Sequence, residues 1–243
     1  MGNPRADEVA RYLVRSGYSD RNRSVGVGDP GTCAALRIMT APLGLVVCGA
    51  PLARRAADVA RALAADGWSL AVGVTEAATG WIEPDVLAEA AAHPVATRPR
   101  HASEQRRGAR PKRVVTFPLT FNTANKIAAG IMDTHVTGTL CDALGAGTPI
   151  LAVPMLNDRL WGHPAWPVTL DRLAESGALF LDPVTGDIGV PRPVPSGSGA
   201  EIVAGFDPAW VINGVAALGG GSDPDPSRPG DPYPGSVGLR ARG

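Results

Sequence analysis

Short apolar segments alternate with Ala-rich helical segments between residues 43 and 218, and this alternation restricts the possible folds more than any other feature. Strands are predicted at residues 43–48, 69–74, 113–117, 149–153 and 178–181, with a short one at 95–97. Helices are predicted at 53–65, 84–92, 122–130, 136–145, 164–176 and 208–218. Parallel neighbours need a crossover connection, so the sequence predicts an α/β fold with a parallel sheet covered by helices on both faces.

The two ends of the chain differ in composition from this central region. Residues 1–16 are compatible with one helix, but residues 17–32 are rich in Gly, Arg, Ser and Asp and have no apolar period. Residues 219–243 are rich in Gly, Pro, Asp and Ser. We therefore expect a partly disordered N-terminal extension at 1–40, one folded domain at 41–218 and a disordered tail at 219–243.

Charge and cysteine content exclude several classes of function. Lys plus Arg equals Asp plus Glu at 23 each, so no net field attracts nucleic acid or an acidic membrane surface. The basic stretch at 98–113 lacks interleaved aromatic residues, which favours a solvated loop over a phosphate or nucleic-acid patch. Three scattered cysteines, with no signal peptide and no apolar span, predict a cytoplasmic protein that has neither a disulfide framework nor a zinc site.

Polar side chains follow two of the predicted strands, at the point where each strand ends. The segment from residue 118 reads Pro-Leu-Thr-Phe-Asn-Thr-Ala-Asn-Lys, and the segment from residue 154 reads Pro-Met-Leu-Asn-Asp-Arg-Leu-Trp. The carboxyl ends of parallel strands meet at one edge of a sheet, where ligands bind. These segments therefore predict a binding site at that edge.

The first strand-to-helix junction reads Cys48-Gly49-Ala50-Pro51, and the second strand ends at Thr75. The N–H groups of a helix start can hold a phosphate, and a glycine lets the backbone approach it closely. The alternative is that Gly49 serves turn geometry only. There is no Gly-x-Gly-x-x-Gly and no Walker motif, so dinucleotide and nucleoside triphosphate binding are not supported.

Four segments in this order resemble the homo-oligomeric flavin-containing cysteine decarboxylases. The segments begin at Val47, Val74, Pro118 and Pro154, and the resemblance covers residues 43–182. The family motif Pro-Ala-Ser-Ala-Asn-Thr is similar to residues 118–123, and Pro-x-Met-Asn-x-x-Met-Trp is similar to residues 154–161. The form of residues 120–126 also resembles a group of actinobacterial flavoproteins. The resemblance implies a flavodoxin-like sheet, FMN as cofactor and a homotrimer or a multiple of trimers.

The resemblance also assigns roles to individual residues. Asn157 matches the residue that contacts the substrate carboxylate, although an Asn that caps the following helical turn is an equal alternative. Ala50 stands where the family usually has Ser, so one hydroxyl donor to the phosphate is lost. The residues that the resemblance implies for FMN binding are Gly49, Ala50, Thr75, Thr120, Phe121, Asn122 and Thr123.

Two departures from the family concern its catalytic groups. The family carries a histidine upstream of residue 118, and the matching position here falls near Glu104, so His101 takes that role only if the basic loop is lengthened. His135 and His163 remain open as alternatives. Residues 182–200 contain no cysteine, whereas phosphopantothenoylcysteine decarboxylase uses a cysteine in that region.

These observations predict an FMN-dependent oxidative decarboxylase, with Asn157 and His101 as the candidate catalytic residues. The substrate implied is a small molecule or a peptide with a C-terminal cysteine. The peptidyl-cysteine type is favoured over phosphopantothenoylcysteine because the family cysteine is missing. A non-catalytic flavin-binding protein and a flavin prenyltransferase-like enzyme are the alternatives.

Overall fold

Five parallel strands form a sheet in the computed structural model, which describes residues 42–98, 103 and 110–219. The strands are β1 (Leu43–Val47), β2 (Leu70–Val74), β3 (Arg113–Leu119), β4 (Ile150–Pro154) and β5 (Leu179–Phe180). Their order is β2-β1-β3-β4-β5, and Leu43 is in register with Leu70 and Arg113. This is the flavodoxin-like order of a doubly wound sheet. The predicted fold class is confirmed.

Helices cover both faces of this sheet. One face packs against α1 (Ala56–Ala65), α2 (Pro84–Ala91), α7 (Gly199–Gly205) and α8 (Ala209–Ala217). The other packs against α3 (Phe121–Ala128), α4 (His135–Gly145), the short α5 (Asp158–Trp161) and α6 (Ala165–Glu175). Neighbouring residues of β1 alternate between the faces, with Leu45 in the first core and Val46 in the second.

The structure differs from the sequence prediction at several places, including the short α5 at Asp158–Trp161, which was not among the predicted helices. The predicted strand at 95–97 is a single bridge between Gly73 and Ala96 beside β2. A second single bridge joins Leu181 to Ile188 beside β5. Helix α7 was not predicted, because the Gly-Ser-Gly sequence before it indicates a loop; its Ile202 and the following Phe206 pack into the core of the first face.

Several predictions concern residues outside the described part of the chain. They include the N-terminal extension at 1–40, the tail beyond Gly219 and most of the basic loop, with the candidate His101. Among the helices that the structure describes, none has the length and apolar character needed to cross a membrane.

Candidate functional site

The carboxyl ends of β1 to β4 bring the predicted site residues to one edge of the sheet. Gly49 and Ala50 follow β1, Thr75 follows β2, Thr120 follows β3, and Asn157 lies just beyond β4. The crossover from β1 places β2 on one side of it, and the next crossover, from β2, places β3 on the other side, which makes the end of β1 the topological switch of the sheet. Ligands of open α/β sheets bind at this switch.

Gly49 lies against the loop that follows β2. A Cβ atom at Gly49 would come within 2.5 Å of the carbonyl carbon and oxygen of Ala77, which no real side chain tolerates. The same two loops also meet where the Arg54 guanidinium lies 5.5 Å from the ring centroid of Trp81. Close packing therefore requires a glycine here, and this requirement is independent of any ligand.

The helix start after Gly49 offers fewer free N–H groups than the sequence suggests. Pro51 has no N–H, the Leu52 N–H donates to Met155 Sδ at 3.3 Å, and the Ala53 N–H donates to the Ala50 carbonyl at 2.9 Å. Ala50 is buried and has no side-chain oxygen. The donors that remain for a ligand are thus the backbone around Gly49 and Ala50 and the N–H of Leu52. The Leu52 N–H remains because its present acceptor, a thioether sulfur, is weak.

Thr75 carries a buried hydroxyl that has no hydrogen-bond partner within the described residues. Its backbone N–H donates to the Val47 carbonyl at 2.9 Å, which fixes the residue beside the end of β1. A buried hydroxyl without a partner costs about 1 to 3 kcal/mol. Such a group at a strand end therefore fits an acceptor supplied by a ligand.

The hydroxyls of Thr120 and Thr123 at the start of α3 form a hydrogen bond with each other. Thr120 caps the helix by accepting the Thr123 N–H at 3.4 Å, and its hydroxyl donates to Thr123 Oγ1 at 3.2 Å. Both residues lie next to the thiol of Cys48 at the end of β1. Burial raises the pKa of Cys48 to about 11, although hydrogen bonds with Thr123 and Thr120 oppose the rise. The thiol at the switch point is therefore neutral.

Phe121 and Asn122 occupy the first turn of α3 in different surroundings. The ring of Phe121 packs edge-on against the ring of His163, with 5.1 Å between their centroids, and its centroid lies 6.1 Å from that of Trp166. Asn122 is exposed. Nδ1 of His163 accepts the N–H of Ala165 at 3.1 Å, so in the neutral ring the proton is on Nε2. Phe121 thus presents a partly exposed ring with a histidine beside it.

Asn157 is the N-cap of α5. Its Oδ1 accepts the Leu160 N–H at 2.9 Å, so the predicted capping role is present in the structure. Because the oxygen is used by the cap, the side-chain NH₂ points away from the helix and makes no hydrogen bond within the described residues. One amide therefore caps the helix and offers donors to a ligand.

Residues 191–199, which we call the strap, lie across this edge of the sheet. This position was not predicted from the sequence. Val194 pairs with Asn157, and its N–H donates to the Leu156 carbonyl at 2.8 Å. The Ser196 hydroxyl donates to Asp158 Oδ1 at 2.7 Å and lowers the pKa of that exposed carboxyl group. The available signal was the Pro-Arg-Pro-Val-Pro sequence at 191–195, which favours extended backbone.

His135 is the first residue of α4 and lies against β2. A Cβ atom at Gly73 would be 3.4 Å from Cδ2 of its ring. Burial lowers the pKa of His135, so the ring is neutral near pH 7. Of the histidines weighed from the sequence, His135 and His163 thus lie near the carboxyl edge, and His101 is outside the described residues.

Known proteins that are similar to this chain agree with the fold. TvaF, an FMN-dependent cysteine decarboxylase from thioviridamide biosynthesis, is 25% identical over 60% of this chain and 91% of its own, with a TM-score of 0.52. The FMN-binding protein AtHal3 is 19% identical over 68% of this chain and 94% of its own, with a TM-score of 0.53, which shows the fold alone.

Sequence comparison adds a curated relative and a family. The coenzyme A biosynthesis bifunctional protein CoaBC of Thermococcus kodakarensis is 31% identical over 146 residues, which are 57% of this chain and 36% of that protein. The chain thus spans only about a third of the length of this relative. The sequence model of the Flavoprotein family matches residues 37–199, which include the five strands and the candidate site, whereas α8 and nearly all of α7 lie beyond the match. The chain belongs to the Flavoprotein family.

Proposed function

We propose that this chain is an FMN-dependent enzyme that oxidatively decarboxylates a cysteine-like thiol carboxylate. FMN as the cofactor follows from the family match and from the FMN proteins of the same fold. The reaction is supported by the similar proteins, which include FMN-dependent cysteine decarboxylases and the coenzyme A biosynthesis protein CoaBC. A C-terminal peptidyl cysteine is the substrate we favour, because residues 182–200 lack the cysteine expected for phosphopantothenoylcysteine.

The unpartnered hydroxyl of Thr75 carries this proposal. It is buried beside the ends of β1 and β2, where the Thr75 N–H donates to the Val47 carbonyl, and it lacks an acceptor among the described residues. The first turn of the helix start at Pro51–Arg55 contains no acidic residue, so no carboxylate opposes an anion there. The residues present therefore fit a phosphate group, with Thr75 replacing the hydroxyl that Ala50 does not provide.

The other residues of the edge have separate tasks in the proposed reaction. Bound FMN supplies two-electron oxidation of the substrate thiol. Asn157 orients the substrate carboxylate through its free NH₂. A neutral amide stabilises the carboxylate charge less than a cation would, and that charge must pass to the sulfur-bearing fragment as neutral carbon dioxide leaves. Thr120 and Thr123 fix the start of α3, which places Phe121 and Asn122 at the edge.

A spectroscopic titration tests this function. We expect purified protein to bind FMN, with a change in flavin fluorescence and a rise in melting temperature, and anaerobic N-acetylcysteine to bleach the bound flavin. N-acetylcysteine methyl ester is the matched control, because it keeps the thiol and lacks the carboxylate. Bleaching of the flavin by both compounds would contradict the decarboxylase. Bleaching by neither compound would also contradict it, and if FMN is still bound, that result would favour a non-catalytic flavoprotein.

We also propose that the chain assembles as a homotrimer, as its sequence resemblance implies. The junction between α3 and α4 leaves Ile131 47% exposed and Met132 60% exposed, although both are large and apolar. Covering such residues stabilises an oligomer. Light scattering should give about three times the chain mass of 25.0 kDa, and Met132→Lys should reduce it; a monomer in the wild type would contradict the trimer.

A further inference from the structure

Arg192 lies in the strap and is held by a single buried carboxylate. Its Nε donates to Asp182 Oδ2 at 3.0 Å, and the arginine side chain is 62% exposed whereas that of Asp182 is 9% exposed. A guanidinium has five N–H donors, of which this bond uses one. The terminal nitrogens of Arg192 make no hydrogen bond within the described residues.

The carboxylate of Asp182 is held by hydrogen bonds that do not involve Arg192. Oδ1 of Asp182 accepts the N–H of Val184 at 2.8 Å and the N–H of Thr185 at 3.2 Å. The backbone of Asp182 also accepts from Gly186 at 3.0 Å and donates to Asp187 at 2.8 Å. Two hydrogen bonds hold the carboxylate and two more hold its backbone, so the carboxylate cannot follow a moving partner and sets the direction of the guanidinium.

The strap brings this cation to the candidate site. Val194 pairs with Asn157, and extended chain rises about 3.3 Å per residue, so the backbones of Arg192 and Val194 are about 7 Å apart. The guanidinium is held beside Asp182, which follows β5, the strand next to β4, so Arg192 and Asn157 lie beyond the carboxyl ends of neighbouring strands. The carboxylate of neighbouring Asp158 is already bonded to Ser196, which leaves it a weaker competitor for Arg192.

We infer that Arg192 determines specificity by binding a second anionic group of the substrate, distinct from the carboxylate that reacts. This inference rests on the proposed function. An arginine on the reacting carboxylate would lose its ion pair as neutral carbon dioxide leaves, so it would oppose the reaction. A carboxylate or phosphate elsewhere on an N-acylated cysteine keeps its charge throughout and suits a fixed guanidinium.

Calorimetry with unreactive probes tests the inference on the FMN-loaded protein. N-acetylserine and N-succinylserine have no thiol to oxidise, and they differ in one additional carboxylate. We expect wild type to bind the succinyl compound about tenfold more tightly than the acetyl compound. Arg192→Gln should abolish this preference and Arg192→Lys should keep part of it. Arg61→Gln, which removes a similarly exposed arginine paired with Asp58 on α1, should keep all of it.

The outcomes separate this inference from the proposed function. Equal binding of both probes by wild type, or an undiminished preference in Arg192→Gln, overturns the inference and leaves the decarboxylase standing. A lower melting temperature in Arg192→Gln with the preference intact shows that Arg192 is structural only. Failure to bind FMN, or failure to bind either probe with FMN bound, overturns the function and the inference together.

Discussion

The two halves of the carboxyl edge use polar groups in different ways. At the ends of β1 and β2 the chain is closely packed, since Gly49 touches Ala77 and the helix-start N–H groups are mostly occupied. The buried hydroxyl of Thr75 lacks a partner there among the described residues. At the ends of β3 and β4 the polar side chains cap helices, and Asn157 still has a free NH₂.

This difference suggests different ligands for the two halves. A closely packed pocket with one unpartnered hydroxyl suits a small group of fixed shape, such as a phosphate. A row of capped helix starts with free side-chain donors suits a group that is exchanged in each reaction, because the protein atoms stay fixed when it leaves. The predictions below test this division.

Gly49→Ala is expected to have the largest effect. The new Cβ atom would meet the Ala77 backbone at 2.5 Å, so the loops after β1 and β2 must separate. We expect a loss of about 2 to 3 kcal/mol in the free energy of unfolding, together with loss of FMN binding. Chemical denaturation and flavin fluorescence measure the two effects.

Gly80→Ala is the matched control for this change. Gly80 lies in the loop after β2, where a Cβ atom would meet nothing within 4 Å. The Gly80→Ala variant should have the same free energy of unfolding and the same FMN affinity as wild type. If both variants behaved alike, the close packing of Gly49 would not matter for either property.

Asn157→Ala should have the next largest effect. Loss of the cap costs about 1 kcal/mol of stability, and loss of the amide should slow flavin reduction by thiol carboxylates about a hundredfold. Asn157→Asp separates the two roles, since aspartate caps as well as asparagine but repels a carboxylate. We expect its stability to match wild type and its reduction rate to match Asn157→Ala; a wild-type rate in either variant argues against substrate contact.

Thr75→Val should change stability and cofactor affinity in opposite directions. Without FMN, removing a buried unpartnered hydroxyl should raise the free energy of unfolding by about 1 kcal/mol. With FMN, the lost hydrogen bond should weaken binding about tenfold. Thr75→Ser keeps the hydroxyl and serves as the control for affinity. A valine variant that binds FMN normally would remove the main support for the phosphate site.

His135 should give the smallest effect, which depends on pH. Burial lowers its pKa in the folded state, so the unfolded chain binds more protons as pH falls through about 6.5. The free energy of unfolding therefore decreases as pH falls in that window. His135→Gln should flatten this part of the melting-temperature profile between about pH 7.5 and 5.5. The matched control is His93→Gln, which changes an exposed histidine bonded to Ser69.

Local patterns in the sequence predicted much of the fold and the general position of the site. The spacing of the apolar residues predicts the strands and most helices. The strands in turn predict where the two polar strand-end motifs lie. Contacts between distant segments could not be read in this way. The Leu52 bond to Met155 joins residues 103 positions apart, and the strap depends on Asp182 meeting Arg192. Such contacts decide which predicted donors are open.

The single bridges beside the outer strands also affect how copies of the chain can associate. Ala96 occupies one edge of the sheet next to β2, and Ile188 occupies the other edge next to β5. Exposed edge strands are the usual place where one chain adds its backbone to the sheet of another. With a chain segment already beside each outer strand, cross-strand addition between copies is disfavoured, and we expect the proposed homotrimer to use helical faces instead.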